Sequence, residues 1–513
     1  MTTESRPRSV AGPAGVRPRS FFSRSSSRSS AVFLSAVFLS ACSNLSPQPG
    51  PAPALDIPSR WSTATGSDGP ATPLADWWRR LDDPLLSALI DEALQANTSV
   101  QGAMAALRQS RAQGDVQVAG LGPTLRGSAS AQRSRNGDAG TGNAFRAGFD
   151  AAWEPDVFGG QRAAVNAAAA DTRASAASLA DVQVSVAAEV ALNVLQWRGT
   201  QARLAIARSS LASQAQTLQI VDWRQQAGLA TGLDLEQARG ATEQTRAQIP
   251  SLLSAAGQAE HSLAVLVSRS PTSLHERMSA FTAPPAPPAA GADALVLAIP
   301  AETLRQRPDV RAAEARVAAA WARVAQADAA RYPSFNLSGS LGLGAATLGS
   351  LAKGSSVLAS VLASVAGPIF DGGAGRAQVR AQQAAYDQAG SAYAATVFTA
   401  LKEVEDSLLA LRNGGERLRS LGLAADAARK AARLADQRYR SGLIDFQVVL
   451  ETQRSQLATQ DSLAGTAAEL DAERVRLYKA LGGGWQAELA PTAGLAAETA
   501  SAATTVATQA TTP

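Results

Sequence analysis

Between Arg376 and Leu481, apolar residues recur in alternating threes and fours: Leu401, Val404, Leu408 and Leu411, then Leu418 a full heptad on. That spacing keeps one apolar seam turned toward a partner helix. The 65 residues from Arg376 to Arg440 contain no proline and are rich in Ala, Leu, Arg, Gln and Glu, all good helix formers. At ~1.5 Å per residue such a helix reaches about 100 Å, far longer than helices in ordinary globular domains. The chain then bends at Tyr439-Arg440-Ser441-Gly442 and runs on without proline to Leu481. The pattern predicts a long helical hairpin.

The hairpin is written twice. Arg162 to Gln226 is another proline-free run of 65 residues, with Val190, Trp197, Leu204, Leu211 and Leu218 seven apart. A shift of 214 carries the first three onto Val404, Leu411 and Leu418, and carries Arg162, Arg224 and Gly228 onto Arg376, Arg438 and Gly442. Upstream, Val100 and Pro123 match Val310 and Pro333 at a shift of 210. Matched ends together with matched seams identify an internal duplication.

Ahead of each hairpin lies a shorter helix and an alternating region. Asp83-Pro84 is a helix start, and helix is expected through Asn97 to about Val118. From Thr124 to Trp153, Ser, Gly, Arg and Asn alternate with Leu, Ala and Phe, which predicts two strands around a loop at 136–143. In the second half the helix runs to Arg331, a strand follows from Tyr332-Pro333, and a second strand falls at Val357–Ile369. Gly159-Gly160 and Gly372-Gly373 read as strand-to-helix turns, because no P-loop lysine follows them. Trp77, Trp78 and Trp153 fit either an interfacial belt or a core.

Residues 1–41 hold six arginines and one acid, a net +5 against +4 for the whole chain, which leaves −1 for the remainder. The basic character is thus confined to the leader, and a nucleic-acid partner is excluded. The apolar run from Ala31 to Leu39 is too short to span a bilayer as a helix. It ends in Leu39-Ser40-Ala41-Cys42, which resembles a bacterial lipobox and holds the chain's one cysteine. The resemblance implies N-palmitoyl and S-diacylglycerol on Cys42, and Ser43 after it fits outer-membrane sorting. Disulfides and cysteine metal sites are excluded. His261 and His275 are the only histidines and share no ligand spacing with cysteine or acid clusters, so no metal, cofactor or catalytic pair is expected.

The chain divides into a signal peptide over 1–41, a lipidated flexible tether over 42–72 and a first repeat over 73–283. A Pro/Ala-rich linker over 284–298, a second repeat over 299–485 and a disordered Ala/Thr-rich tail over 486–513 follow. The expected fold is mainly α with a membrane β-barrel portion. Four strands per chain cannot close a barrel, and lipid does not tolerate an open edge. Three chains would pool twelve strands, within the range of outer-membrane barrels.

These motifs resemble the TolC-type outer-membrane factors, in particular the NodT-like lipoproteins of tripartite efflux systems. The resemblance rests on Trp77-Trp78 with Asp83-Pro84-Leu85-Leu86, on Leu304-Arg305-Gln306-Arg307-Pro308-Asp309-Val310 and on Ala330-Arg331-Tyr332-Pro333. Ile369-Phe370-Asp371-Gly372-Gly373 and Tyr439-Arg440-Ser441-Gly442-Leu443 complete it, so that it covers Trp77 to Trp485. It implies a homotrimer in outer-membrane lipid, a helical tube in the periplasm, and passive, gated conduction of small molecules. It also implies a periplasmic adaptor and an inner-membrane RND-type pump as partners. A duct for protein secretion and a coiled-coil adaptor lipoprotein remain the alternatives, although an adaptor normally has one hairpin.

The resemblance also places a gate at the hairpin tip. Glu451 takes the acidic aperture position and Arg454 follows on the same helical face, either as a latch or as an ordinary solvated pair. Asp445 is either a further aperture acid or a helix N-cap. Gln447 stands where relatives can place an apolar ring. In the first hairpin, Asp234 and Glu236 follow the matching turn.

Overall fold

In the computed structural model of the chain, residues 55–62, 74–135, 141–279 and 304–485 are described. The expectations for the leader, for Cys42, for the linker 284–298 and for the tail lie outside them.

The first repeat opens with a 3₁₀ turn over Trp77–Leu81. It continues through α1 (Pro84–Ala96), α2 (Thr98–Ala119), β1 (Thr124–Arg135), β2 (Thr141–Trp153), α3 (Gly160–Gln226), α4 (Gly232–Leu266) and α5 (Pro271–Ser279). The second repeat contains α6 (Pro308–Ala329), β3 (Ser334–Ala345), β4 (Val357–Ala366), α7 (Ala374–Arg440) and α8 (Phe446–Ala480). The duplication holds to the residue. The long arms α3 and α7 have 67 residues each, the returning arms α4 and α8 have 35, and the short helices α2 and α6 have 22. A left-handed glycine turns each hairpin, Gly228 at φ 73° and Gly442 at φ 74°, a conformation that glycine adopts without steric cost.

Each long arm runs from sheet to tip, whereas the returning arm covers about half of it. The short helix fills the other half, and the two meet end to end. Here the expectation of one helix through Asn97 is corrected. Asn97 adopts an extended backbone (φ −61°, ψ 131°), and its side-chain oxygen accepts from the N–H groups of Ser99 and Val100. It therefore ends α1 and caps α2, satisfying donors that would otherwise be orphaned. Its amide nitrogen donates to the carbonyl of Leu266, the last residue of α4, at 2.9 Å. The second repeat makes the same junction with different chemistry: Arg307, the N-cap residue of α6, donates to the carbonyl of Ala480, the last residue of α8, at 2.7 Å.

The largest core joins Trp77, Leu86 and Ile90 to Val186, Val190 and Val194 of α3, Leu263 of α4 and Met278 of α5. Trp77 and Trp78 are thus core residues, while Trp153 is exposed and donates its indole N–H to the carbonyl of Leu121 at 2.9 Å. α3 is also the one described helix with an apolar window long enough to cross a bilayer. Val186, Val190 and Val194 of this helix lie in the core, and α3 packs against α1, α2, α4, α6 and α8.

The flexible-tether expectation for 42–72 is corrected over residues 55–62. Leu55 and Ile57 pack against Val397 and Ala400 of α7, and Trp61 is buried with Val404 and Leu477. The Ser62 N–H donates to Glu405 at 2.8 Å. Three apolar side chains in an otherwise polar segment are enough to lay it along α7.

Candidate functional site

The sheet is antiparallel, with strand order β1-β2-β3-β4. Residues opposite each other share a face, so the register assigns every side chain. Leu125 pairs with Ala151, Phe149 with Leu341, Leu341 with Ala359, and Leu337 with both Trp153 and Ala363. This face is apolar on all four strands in the half nearest the helices, and toward the loop end of the first hairpin it carries Arg133 and Arg135 opposite Asn143 and Thr141. On the other, Arg126 pairs with Asp150, Asp150 with Ser340, Ser340 with Ser360, and Asn336 with Ser364. Polar bonds cross it: Ser128 donates to Asp150 at 2.9 Å, and the Ser340 and Ser360 hydroxyls lie 2.8 Å apart.

Among the described residues nothing covers either face, and on the apolar side Val361 is 82% exposed. An exposed apolar surface of this size marks a lipid or protein contact. A strand of 12 residues spans ~40 Å along its axis, or about 28 Å when tilted ~45°, close to the hydrocarbon thickness of a bilayer. The arrangement is a barrel wall, with lipid on one side and water on the other. Among the described residues the outer strands β1 and β4 each have a free edge.

Below the sheet, Gly159 and Gly373 open the long arms in the left-handed region. These glycine pairs are strand-to-helix turns. Asp156 accepts from the N–H groups of Gln161 and Arg162, and Asp371 accepts from those of Gly373 and Gly375. The Gly375 and Gly373 N–H groups hold the Asp371 carboxyl below its usual range. Phe158 stacks on Tyr332 at 4.9 Å and lies 6.3 Å from Phe335, an aromatic cluster at the lower rim of the apolar face.

Halfway along the helices, buried Arg307 pairs with Asp309 at 2.7 Å and Glu403 at 2.8 Å. Burial works against its charge, but the two carboxylates carry its pKa above the ordinary value. Asp181 lies in the same field, and burial, with Asp309 adding to it, pushes its carboxyl up.

At the far end the two hairpin tips share a core of Val221, Ala238, Tyr439, Phe446, Val449 and Leu450. The Arg224 guanidinium lies 4.2 Å from the Tyr439 ring centroid and donates to the carbonyls of Tyr439 and Arg440 at 2.9 and 3.0 Å. It thereby satisfies the negative end of α7. The sequence matched Arg224 to Arg438 but gave it no role. Leu229 and Leu443 project from the two turns, 77% and 72% exposed.

The gate candidates divide. Glu451 and Arg454 are both exposed on α8, and among the described residues neither forms a salt bridge. The opposite side of α8 holds the helix in place, with Gln453 donating to Thr217 at 3.0 Å. Asp445 occupies the N-cap position of α8, but its side chain makes no capping bond. In the first hairpin, Thr231 and Asp234 form a reciprocal capping box, and Glu236 pairs with Arg239 at 2.6 Å. Asp234 is therefore a structural residue. Gln447 hydrogen-bonds Gln237 across the hairpins. His275 is exposed and pairs with Glu260 at 2.7 Å, and among the described residues no cluster of His, Cys, Asp or Glu forms a metal-ligand set.

The outer membrane efflux protein family matches residues 89–269 and 299–483, two blocks that coincide with the two repeats. The chain is 32% identical over 445 residues to outer membrane protein OprJ of Pseudomonas aeruginosa, across 84% of this chain and 91% of that protein. It is 30% identical over 456 residues to nodulation protein T of Rhizobium leguminosarum bv. viciae, across 88% and 92%. The solved structure of the outer-membrane channel OprN superposes with a TM-score of 0.80 at 32% identity, over 86% of this chain and 99% of that one.

Proposed function

The chain belongs to the outer membrane efflux protein family, and on that premise we propose that three copies form the gated exit duct of a tripartite efflux pump. The observation that carries this reading is the sheet, mainly apolar on one face and mainly polar on the other, with both edges free among the described residues. Free edges in lipid must be closed by further strands. Two copies would give eight strands, and the interior of such a barrel is filled by its own side chains. Three copies give twelve and leave a lumen lined by the Ser, Arg and Asn face.

In this reading the duct conducts small molecules passively, and an inner-membrane pump of RND type supplies the energy. A periplasmic adaptor joins the two by docking on the exposed leucines of the tips, Leu229 and Leu443. Lipid on Cys42 anchors the start of the mature chain, and residues 55–62 tie that start to α7. Glu451 and Arg454, which form no salt bridge among the described residues, pair with neighbouring copies and close the aperture, with Asp445 at the start of the same helix.

Conductance in planar bilayers tests the reading. The wild-type protein should give small, rarely opening channels, and the Glu451→Ala, Arg454→Ala double variant larger and longer openings. No conductance from either protein would overturn the duct. Equal conductance from both would overturn the gate alone.

A further inference from the structure

We infer the register at which one copy joins the next: β4 pairs with β1 of the neighbouring copy so that Ser364 stands opposite Ser130. The inference rests on the oligomeric duct proposed above and adds the residues that close it. Its basis is that the chain already contains one junction between repeats. Inside the chain, the last strand of the first repeat, β2, pairs with the first strand of the second, β3, at a fixed register from Phe145↔Ala345 to Trp153↔Leu337. The two hairpins β1–β2 and β3–β4 have the same internal register once β1 is shifted by 210 onto β3 and β2 by 214 onto β4. Applying both shifts to the β2–β3 junction moves it to β4 and the next copy's β1. The contact Arg146↔Gly344 becomes Ser360↔Ser134, Asp150↔Ser340 becomes Ser364↔Ser130, and Ala151↔Gly339 becomes Val365↔Ala129.

A slip of one residue would turn every side chain of β4 to the opposite face. At the derived register Ser360 and Ser364 meet Ser134 and Ser130, and Val365 and Ala363 meet Ala129 and Ala131, whereas Val361 and Ala359 meet Arg133 and Arg135 toward the loop end of β1. The apolar face therefore continues across the seam in the half nearest the helices. The helices beneath support the same step. α3 is flanked near the sheet by α2, through Ser110 and Thr172, and by α6, through Asp171 and Arg323. α7 has α6 on one side, with Trp321 and Tyr386 in ring contact at 5.3 Å. Its other side exposes Ala377, Ala381 and Ala384, the counterparts of Ala163, Ala167 and Ala170, which are buried in α3. The same shift assigns that side to α2 of the next copy.

Paired cysteines test the register. Directly opposite residues in an antiparallel pair have Cα atoms ~4.5–5.5 Å apart, within reach of a disulfide, whereas residues displaced by two stand roughly 7–8 Å apart, beyond it. In the full-length protein, Ser130→Cys with Ser364→Cys should convert the monomer band on a non-reducing gel into two- and threefold species under mild oxidation. Each cysteine alone, and Gln132→Cys with Ser364→Cys, should not. Cross-linking through position 132 or 128 but not 130 would overturn the register and leave the oligomer standing. So would a trimer, by native mass in detergent, that no pair cross-links. A monomer by native mass would instead overturn the duct reading on which the register rests.

Discussion

The long arms α3 and α7 have the same length and the same left-handed glycine at their start, but they live in different surroundings. α3 packs against α1, α2, α4, α6 and α8, while the principal neighbours of α7 are α6 and α8. Equivalent positions record the difference: Val184 of α3 is 3% exposed, and its counterpart Phe398 of α7 is 53% exposed. Arg224 of α3 clamps the end of α7, and its counterpart Arg438 has no partner among the described residues. A duplicated chain buries one copy of its repeat contact internally and leaves the other copy at its edge. The internal contact is therefore a template for the contact between molecules.

The largest effect is expected where the repeats are anchored by different chemistry. Arg307→Ala strands Asp309 and Glu403 and should cost about 2–3 kcal/mol, less than the ~3–5 for a fully buried pair because Glu403 is half exposed. Asn97→Ala, at the same place in the first repeat, should cost about 1–2 kcal/mol through loss of its cap. Denaturant midpoints in detergent would measure both, and equal losses would contradict the proposed difference in anchoring.

A second pair of variants tests the arms directly. Ala170→Leu overfills a position that is 1% exposed within the chain and should destabilise the fold by about 1–3 kcal/mol. Ala384→Leu changes an exposed position and should leave the isolated chain within about 0.5 kcal/mol of wild type. In the assembly it should lower the temperature at which the copies dissociate. An unchanged dissociation temperature on heated native gels would show that α7 stays bare.

The smallest effect concerns pH. The folded-state pKa of Asp181 is raised above its ordinary 3.8, so the folded chain keeps a proton that the unfolded chain releases. Stability from this group falls as pH rises from about the ordinary value through the folded pKa, and it stays lower at neutral pH. Asp181→Asn should remove that decline and raise the unfolding midpoint at neutral pH relative to acid. A variant with the wild-type pH profile would relocate the effect to another group.

Much of this was legible in the sequence because the arms depend on local pattern. Heptad leucines, proline-free runs and paired glycines specify helix and turn without reference to anything distant, and the offsets of 210 and 214 found there reappear in the structure. What failed to show depended on partners far along the chain. The break at Asn97 had a local signal, an Asn that caps the next helix through Ser99 and Val100, but its junction with Leu266 depends on another helix. Trp61 read as part of a tether because the α7 surface that receives it is built from Val404 and Leu477. The two faces of the sheet were faint in β1, where Ala and Gly dilute the alternation, and became plain once the register aligned four strands. Glu451 and Arg454 were placed at the tip by resemblance; both are exposed on α8, and among the described residues neither forms a salt bridge.

A sheet that spans the membrane by closing with two further copies holds the protein there with or without lipid. The most direct test is the native mass of the protein in mild detergent, measured beside a Cys42→Ser variant that removes the proposed lipid attachment site. The account predicts a detergent-dependent trimer from both. A water-soluble monomer or dimer from the variant would mean that lipid is the sole attachment to the membrane, and would contradict the barrel.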